Sequence, residues 1–248
     1  MKSDRYQRRF YRDWVGAQDL YSLRVAAKET DLQILSDKPV DRDFAEARLS
    51  FYRRGIEGYI AKDRRFLTSL KPLAVELNAP PIVKEMSRAA KLANVGPMAA
   101  VAGAIAQYIG KDILRHGLKE VIVENGGDIF LKIKKSRNIA IYAGSSSFSG
   151  RLCLRIKPKD TPLGIATSSG SVGHSLNFGN ADAVVVLAKN ALLADAVATA
   201  ASNRVKTRKD FNPAINFAKN IRGISGLVII INDHLASWGK IEFIKRVD

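Results

Sequence analysis

Polar and apolar positions divide the 248-residue chain into two textures. In the first third, short runs at residues 10–14, 22–26 and 32–35 predict strands. Residues 41–70 then place Phe44, Ala47, Leu49, Ile56, Ile60 and Leu67 near helical spacing. Gly55 and Gly58 weaken the middle of that helix, which is where a break is expected. After a loop through Pro72 and Pro80-Pro81, a helix is predicted over 82–92, and Gly96-Pro97 opens another over 98–114. Proline at a first helical position has its φ pre-set and gives up no N–H that the helix needs.

From Lys119 onward the pattern shifts to short strands between Gly/Ser loops, at 120–124, 129–133, 138–142, 152–156, 164–167 and 183–188. A helix over 192–204, a second over 213–219 and a closing strand pair at 227–232 and 240–244 complete the chain. Helices and strands in blocks, with no Pro/Gly linker between them, predict an α+β fold. It is a single domain over 1–248 with a mostly antiparallel β-sheet core and packed helices.

Composition narrows the class. With 46% hydrophobic residues the chain can bury a sizeable core and lacks the balance of a disordered one. One cysteine, Cys153, excludes an intrachain disulfide and a cysteine zinc site. No apolar run approaches the roughly 18 residues of a membrane helix, and the first ten residues are charged where a secretory signal is apolar. The expectation is a cytoplasmic protein with no membrane partner.

Forty Lys+Arg against 24 Asp+Glu give a formal charge of +16. Lys132, Lys134, Lys135, Arg137, Arg151, Arg155, Lys157 and Lys159 gather between residues 131 and 160, alternating with Leu131, Ile133, Leu152, Leu154 and Ile156. That alternation reads first as the solvated face of half-buried strands. A landing site for an anion, a nucleic acid or an acidic protein is the sharper reading. Nucleic-acid binding has no motif here and rests on charge alone.

Three segments carry candidate chemistry. Residues 191–201 form an almost wholly apolar helix holding one carboxylate, Asp195, and one hydroxyl, Thr199, at i and i+4. Two oxygens on one face suit Mg²⁺, which keeps water and substrate phosphate in its remaining positions. The alternative stands level with it: Asp195 pairs with an arginine or caps a nearby loop, and Thr199 bonds its own helix backbone. Asn125-Gly126 within Glu124-Asn125-Gly126-Gly127-Asp128 is preferred hairpin-turn content, although its glycines also let backbone N–H groups approach a ligand. Thr167-Ser168-Ser169-Gly170 leaves a strand as a hydroxyl-rich loop that can cradle a diphosphate, with His174 close by as a candidate general base. Asn177 stands where a serine-hydrolase elbow opening at Gly173 needs glycine, which sets that class aside. The helix opened at Gly96 is a generic anion site. His116, near a helix end, and His234, in the turn of the last strand pair, have no metal-like partners.

In order along the chain, Asn94-Val95-Gly96-Pro97-Met98-Ala99-Ala100, Glu124-Asn125-Gly126-Gly127-Asp128, Ala166-Thr167-Ser168-Ser169-Gly170 and Ala194-Asp195-Ala196-Val197-Ala198-Thr199-Ala200 resemble the ApbE-like flavin transferase superfamily. The ordered set is more specific than any member and spans about residues 94–205; the N-terminal part resembles the short, uncharacterised branch. The resemblance implies FAD bound with Mg²⁺ bridging its pyrophosphate, and FMN passed to a protein hydroxyl. It implies Asp195 and Thr199 as metal ligands, and Gly96, Asn125, Gly126, Gly127, Asp128 and Thr167, Ser168, Ser169 and Gly170 around the cofactor, with His174 taking the acceptor proton. Two departures bear on catalysis. Ala100-Val101 replaces an expected Gly-Lys pair, and His174-Ser175-Leu176-Asn177-Phe178 takes the place of a histidine-rich Asp-Pro-x-Thr-Gly element. The reading is therefore a Mg²⁺-dependent protein that binds a flavin or other nucleotide with altered or lost transfer. The alternative is a non-enzymatic accessory protein of a redox or sulfur-assimilation pathway whose basic face docks an acidic partner.

Overall fold

The computed structural model describes residues 17–170 and 177–246, so the strand expected at 10–14 lies outside the described residues. Strands β1 (Tyr21–Ala27) and β2 (Thr30–Ser36) form a first hairpin. Helices α1 (Arg42–Lys62), α2 (Arg65–Thr68), α3 (Pro81–Ala93) and α4 (Val101–Arg115) follow, and the chain returns in β3 (Val121–Asn125) and β4 (Asp128–Lys132). An excursion through β5 (Arg137–Ala140) and β6 (Leu152–Ile156) precedes β7 (Leu163–Ser168) and β8 (Ala183–Ala188). Helices α5 (Ala191–Arg204) and α6 (Phe211–Lys219) then lead to β9 (Ile224–Ile231), β10 (His234–Gly239) and β11 (Phe243–Lys245).

The main sheet runs β1-β2-β3-β4-β7-β8-β9-β10 with every neighbour antiparallel, and β11-β6-β5 forms a second, smaller sheet. Successive side chains on a strand face opposite ways, so each central strand serves two cores. Val123, Phe130, Ala166, Val184 and Ile229 pack against the helices. Ile122, Leu131, Ile165, Val185 and Ile230 pack against the small sheet, with Ile139 and Leu154. Helices, large sheet and small sheet make three layers, the α+β architecture expected from the block pattern. Burial on both faces explains why β8 is apolar throughout instead of alternating.

Three local expectations are corrected. Helix α1 runs unbroken through Gly55 and Gly58 and ends at Asp63. Ala45, Leu49, Tyr52, Ile56 and Tyr59 form a continuous buried stripe, and the burial of that stripe outweighs about 1 kcal/mol of lost propensity per glycine. The Gly96-Pro97 start is a four-residue 3₁₀ turn, Pro97–Ala100, and the long helix begins only at Val101. The final pairing also differs, because β9 pairs with β10 from His234 onward and β11 joins β6 instead. His234 therefore begins a strand rather than sitting in the turn. Strand β10 is exposed or half-buried along its length, so it carries no strong apolar pattern to read.

Among the described residues no single helix is long and apolar enough to cross a membrane. Helix α3 and the segment Pro97–Arg115 pass by length and composition only as a pair bent by 103°, and both contribute heavily to the helix-side core.

Candidate functional site

Helices α4 and α5 lie antiparallel, and their contact organises the site. The Ala191 N–H donates to Gln107 Oε1 at 2.8 Å, and one turn further on Asp195 Oδ2 accepts the Gly103 N–H at 2.9 Å. A Cβ on Gly103 would lie 2.3 Å from the Ala191 carbonyl oxygen and 3.0 Å from Asp195 Cβ, so glycine is what permits this approach. The residue ahead of α4, Ala100, has no side chain able to cap the helix. Asp195 supplies the cap from another element, accepting the N–H groups of Ala102 and Gly103.

The surroundings of Asp195 oppose its charge. It lies deep among protein atoms while keeping some solvent contact. Burial pushes its carboxyl up to about 7, and the two backbone N–H bonds offset only part of that effect. Thr199 follows one turn later on α5, half-buried, and α5 packs against the Pro97–Ala100 turn.

The β3–β4 hairpin closes beside the start of α4. Asn125 faces Asp128 across the ladder, and Gly126 (φ 66°) and Gly127 (φ 100°) occupy the two central positions where a two-residue turn needs positive φ. Asn125 Nδ2 donates to Ala102 O at 3.1 Å, tying the hairpin to the first turn of α4. Glu124, on the opposite face, accepts the Gly127 N–H at 2.8 Å. Asn125 and Asp128 are both buried on the helix side of the sheet. On β7, Ala166 belongs to the helix-side core and Ile165 to the other, so alternation places Ser168 with the helices and Thr167 with Ile165. Thr167 Cβ would be 3.8 Å from a Cβ at Gly127, which puts the loop at the mouth of the hairpin.

Asn177 fastens that loop. Its Nδ2 donates to Ser168 Oγ at 2.8 Å and to Ser202 Oγ of α5 at 2.7 Å, and its Oδ1 accepts the Gly179 N–H at 2.7 Å. The Gly170 N–H donates to Ala181 O at 2.9 Å, and Ser169 Oγ lies 3.5 Å from the same oxygen. Asn125, Gly126, Gly127, Asp128, Thr167, Ser168, Asp195 and the start of α4 thus gather at one end of the α4–α5 pair.

Gly96 packs against the backbone of Ser69. A Cβ there would sit 1.7 Å from Ser69 O, so this glycine permits a backbone crossing, and the turn it opens is too short to present a helix N-terminus. His174 lies outside the described residues. His116 is exposed and sits edge-on to Phe44, with ring centroids 4.1 Å apart. Among the described residues no group of three or more His, Cys, Asp or Glu is arranged to hold a metal. Gly103, Gln107, Asn177 and Ser202 were not legible as site residues. The one hint was a glycine inside an apolar helix, which marks a close packing partner.

Much of the basic segment is neutralised within the chain. Arg137 is buried, with Nη2 2.7 Å from Oε1 of the equally buried Glu120, and it also bonds Asp19. Lys134 pairs with Asp37, Lys135 with Asp19, and Arg155 and Lys157 with Glu242. Arg137 is therefore no part of a solvated strand face.

A family model described as "AbpE bacteria" matches residues 12–228. A UPF0280 protein of Methanococcus maripaludis strain C5 is 41% identical over 229 residues, covering 91% of this chain and 93% of its own. One from Methanocaldococcus jannaschii is 40% identical over 233 residues, covering 92% and 94%. Among solved structures, the flavin transferase ApbE from Vibrio cholerae superposes with a TM-score of 0.60 at 16% identity, covering 89% of this chain and 96% of that one. The apo flavinyl transferase ApbE of Pseudomonas stutzeri gives 0.57 at 13% identity, covering 89% and 94%. At such identities the superpositions establish a shared fold, and the match along most of the sequence establishes kinship: the chain belongs to the AbpE bacteria family, alongside UPF0280 proteins of methanogens.

Proposed function

We propose that the chain is a Mg²⁺-dependent protein that binds a flavin or other nucleotide, FAD foremost, at the α4–α5–hairpin end, with FMN transfer weakened or lost. The observation that carries this reading is Asp195, a carboxylate deep among protein atoms beside the start of α4, whose ionisation burial opposes. A cation there would favour the charged form. A carboxylate has about four lone-pair sites, so two capping N–H groups leave it capacity for a metal. With the Thr199 hydroxyl one turn away it makes a hard-oxygen pair of the kind that serves Mg²⁺ beside substrate phosphate. Bound there, Mg²⁺ would supply the positive charge that neutralises a pyrophosphate.

The chain's own groups divide the remaining work. Gly126 and Gly127 leave the hairpin tip without side chains, so a flat ring can approach its backbone. Asn125 holds that tip against α4, and Asn177 holds the Thr167–Gly170 loop against α5. His174 is the histidine candidate for taking the proton of an acceptor hydroxyl. Ala100 and Val101 bring no cation to the start of α4, which supports binding without efficient transfer. Docking of an acidic partner through the basic segment loses support from the internal ion pairs at Lys134, Lys135, Arg137, Arg155 and Lys157.

The test is an FAD titration of the full chain with and without Mg²⁺, repeated on Asp195→Asn and Thr199→Val and followed by an assay for AMP. Saturable binding strengthened by Mg²⁺ and weakened about tenfold or more in both variants is expected, with little AMP. Absence of saturable binding under either condition would sink the reading. Rapid Mg²⁺-dependent AMP release would restore transfer.

A further inference from the structure

At the opposite end of the same helix pair lies a groove of about 490 Å³ with a different chemistry. Lys111, Lys119, Lys132 and Lys189 line it together with Gln107 and Asn190, and no carboxylate is among its lining residues. Among the described residues none of the four ammonium groups forms an ion pair. Lys132 Nζ only reaches Thr161 O at 3.3 Å, and Lys111 lies 6.0 Å from the Tyr108 ring centre. Asp37, which accepts the backbone N–H of Lys119, directs its other oxygen at Lys134.

The two amides add donors. Gln107 is 2% exposed and its Oε1 is taken by the Ala191 N–H, while Asn190 Oδ1 is taken by the Leu193 N–H. Those backbone donors settle which end of each amide is oxygen, so the amino ends remain as the donors. Among the described residues the Gln107 amino group has no protein acceptor, and Gln107 lines the groove. The polar side chains of the groove are therefore poised to donate. Leu114, Leu118 and Pro162 supply an apolar wall. The groove starts at Asn190, about 7 Å along α5 from Asp195 at 1.5 Å per residue, and shares no lining residue with the Asp195 end.

We propose that this groove is a second binding site, selective for a phosphorylated organic ligand of about mononucleotide size. Six donor side chains call for a ligand dense in acceptors, and a phosphate group brings three strong acceptor oxygens with one and a half to two negative charges. The wall takes the ligand's apolar body, and the volume falls within the usual range of small-molecule sites. This site does not depend on the flavin reading.

The experiment is calorimetric titration of the full chain with AMP, adenosine and inorganic phosphate in parallel. It is repeated on the Lys119→Gln/Lys189→Gln double variant, whose two lysines are exposed, and on Asp195→Asn. AMP should saturate, weaken as salt rises from about 50 to about 300 mM, and lose about tenfold or more in the double variant while surviving Asp195→Asn. Adenosine and phosphate should each bind about tenfold more weakly than AMP. The proposal is overturned by AMP binding that the double variant leaves unchanged, by loss of that binding in Asp195→Asn alone, or by no saturable AMP binding. Equal affinity for adenosine or for phosphate overturns it too, since the ligand would then lack its anionic or its apolar half.

Discussion

Asp195 Oδ2 accepts the Gly103 N–H across 2.9 Å, so a carboxylate on α5 caps α4, a helix with no cap of its own. The sequence offered an arginine partner or a loop cap as the alternative to a metal; the partner is instead the first turn of helix α4. A metal role must be exercised by a residue already holding two helices together.

Gly103→Ala should lower stability by about 1–3 kcal/mol, as overpacking of a tight contact does, despite the better helix propensity of alanine. The added carbon would sit 2.3 Å from Ala191 O. Urea unfolding of the two proteins measures the change. A variant as stable as the parent would show that α4 and α5 can move apart freely.

The raised Asp195 carboxyl carries a pH signature. Its folded value of about 7 lies above an ordinary value near 3.9, so between roughly pH 4 and pH 7 the folded state keeps a proton that the unfolded state has released. This group's contribution therefore becomes less favourable as pH rises through that window and levels off above it. Asp195→Asn cannot ionise, so relative to the parent it should gain up to a few kcal/mol on going from pH 4 to pH 8. Chemical denaturation at both pH values tests this, and a parent–variant difference independent of pH would refute it.

Mg²⁺ competes with the proton for the same oxygens. If Asp195 holds the cation, Mg²⁺-dependent FAD affinity should climb by up to tenfold per pH unit below about 7 and flatten above it. Titrations at pH 5.5, 6.5 and 8 decide the matter, and a flat profile removes Asp195 from the metal.

Removing Arg137 from the buried Glu120–Arg137 pair should cost about 3–5 kcal/mol, because it strands the buried Glu120 carboxylate, whereas losing Glu120 leaves Arg137 still paired with Asp19. Arg137→Met should be strongly destabilising and Glu120→Gln less so, and the double variant should recover part of the Arg137→Met loss. A double-mutant cycle on thermal or urea unfolding reads the coupling, and simple additivity would contradict it.

Asn177→Ala removes three hydrogen bonds and leaves Ser202, which is fully buried, without its donor. A loss of about 1–3 kcal/mol is expected, together with weaker FAD binding as the Thr167–Gly170 loop loosens. Unchanged melting and unchanged affinity would assign Asn177 no organising role.

Periodicity located most of the elements because they answer to local rules. Alternation marked β6, and a short unbroken apolar run marked β8, at their observed ends. The Asn-Gly pair marked a hairpin, but the turn sits one residue further on, with Gly126 and Gly127 meeting its positive-φ demand and Asn125 left in the ladder opposite Asp128. The ordered glycine, hydroxyl and Asp195–Thr199 segments carried the family, since their spacing is a property of the chain itself.

Tertiary contact decided what those rules cannot reach. Helix α1 survives two glycines because a buried stripe outweighs propensity, and β11 chose β6 across 88 residues because edge pairing depends on what lies alongside. Which face Thr167 shares, that Arg137 is internal, that Gly96 serves a backbone crossing and that Asp195 caps α4 are all consequences of juxtaposing segments far apart in sequence. A residue's type limits the bonds it can make; the fold determines which partners arrive, and therefore how much a charge costs and what it can hold.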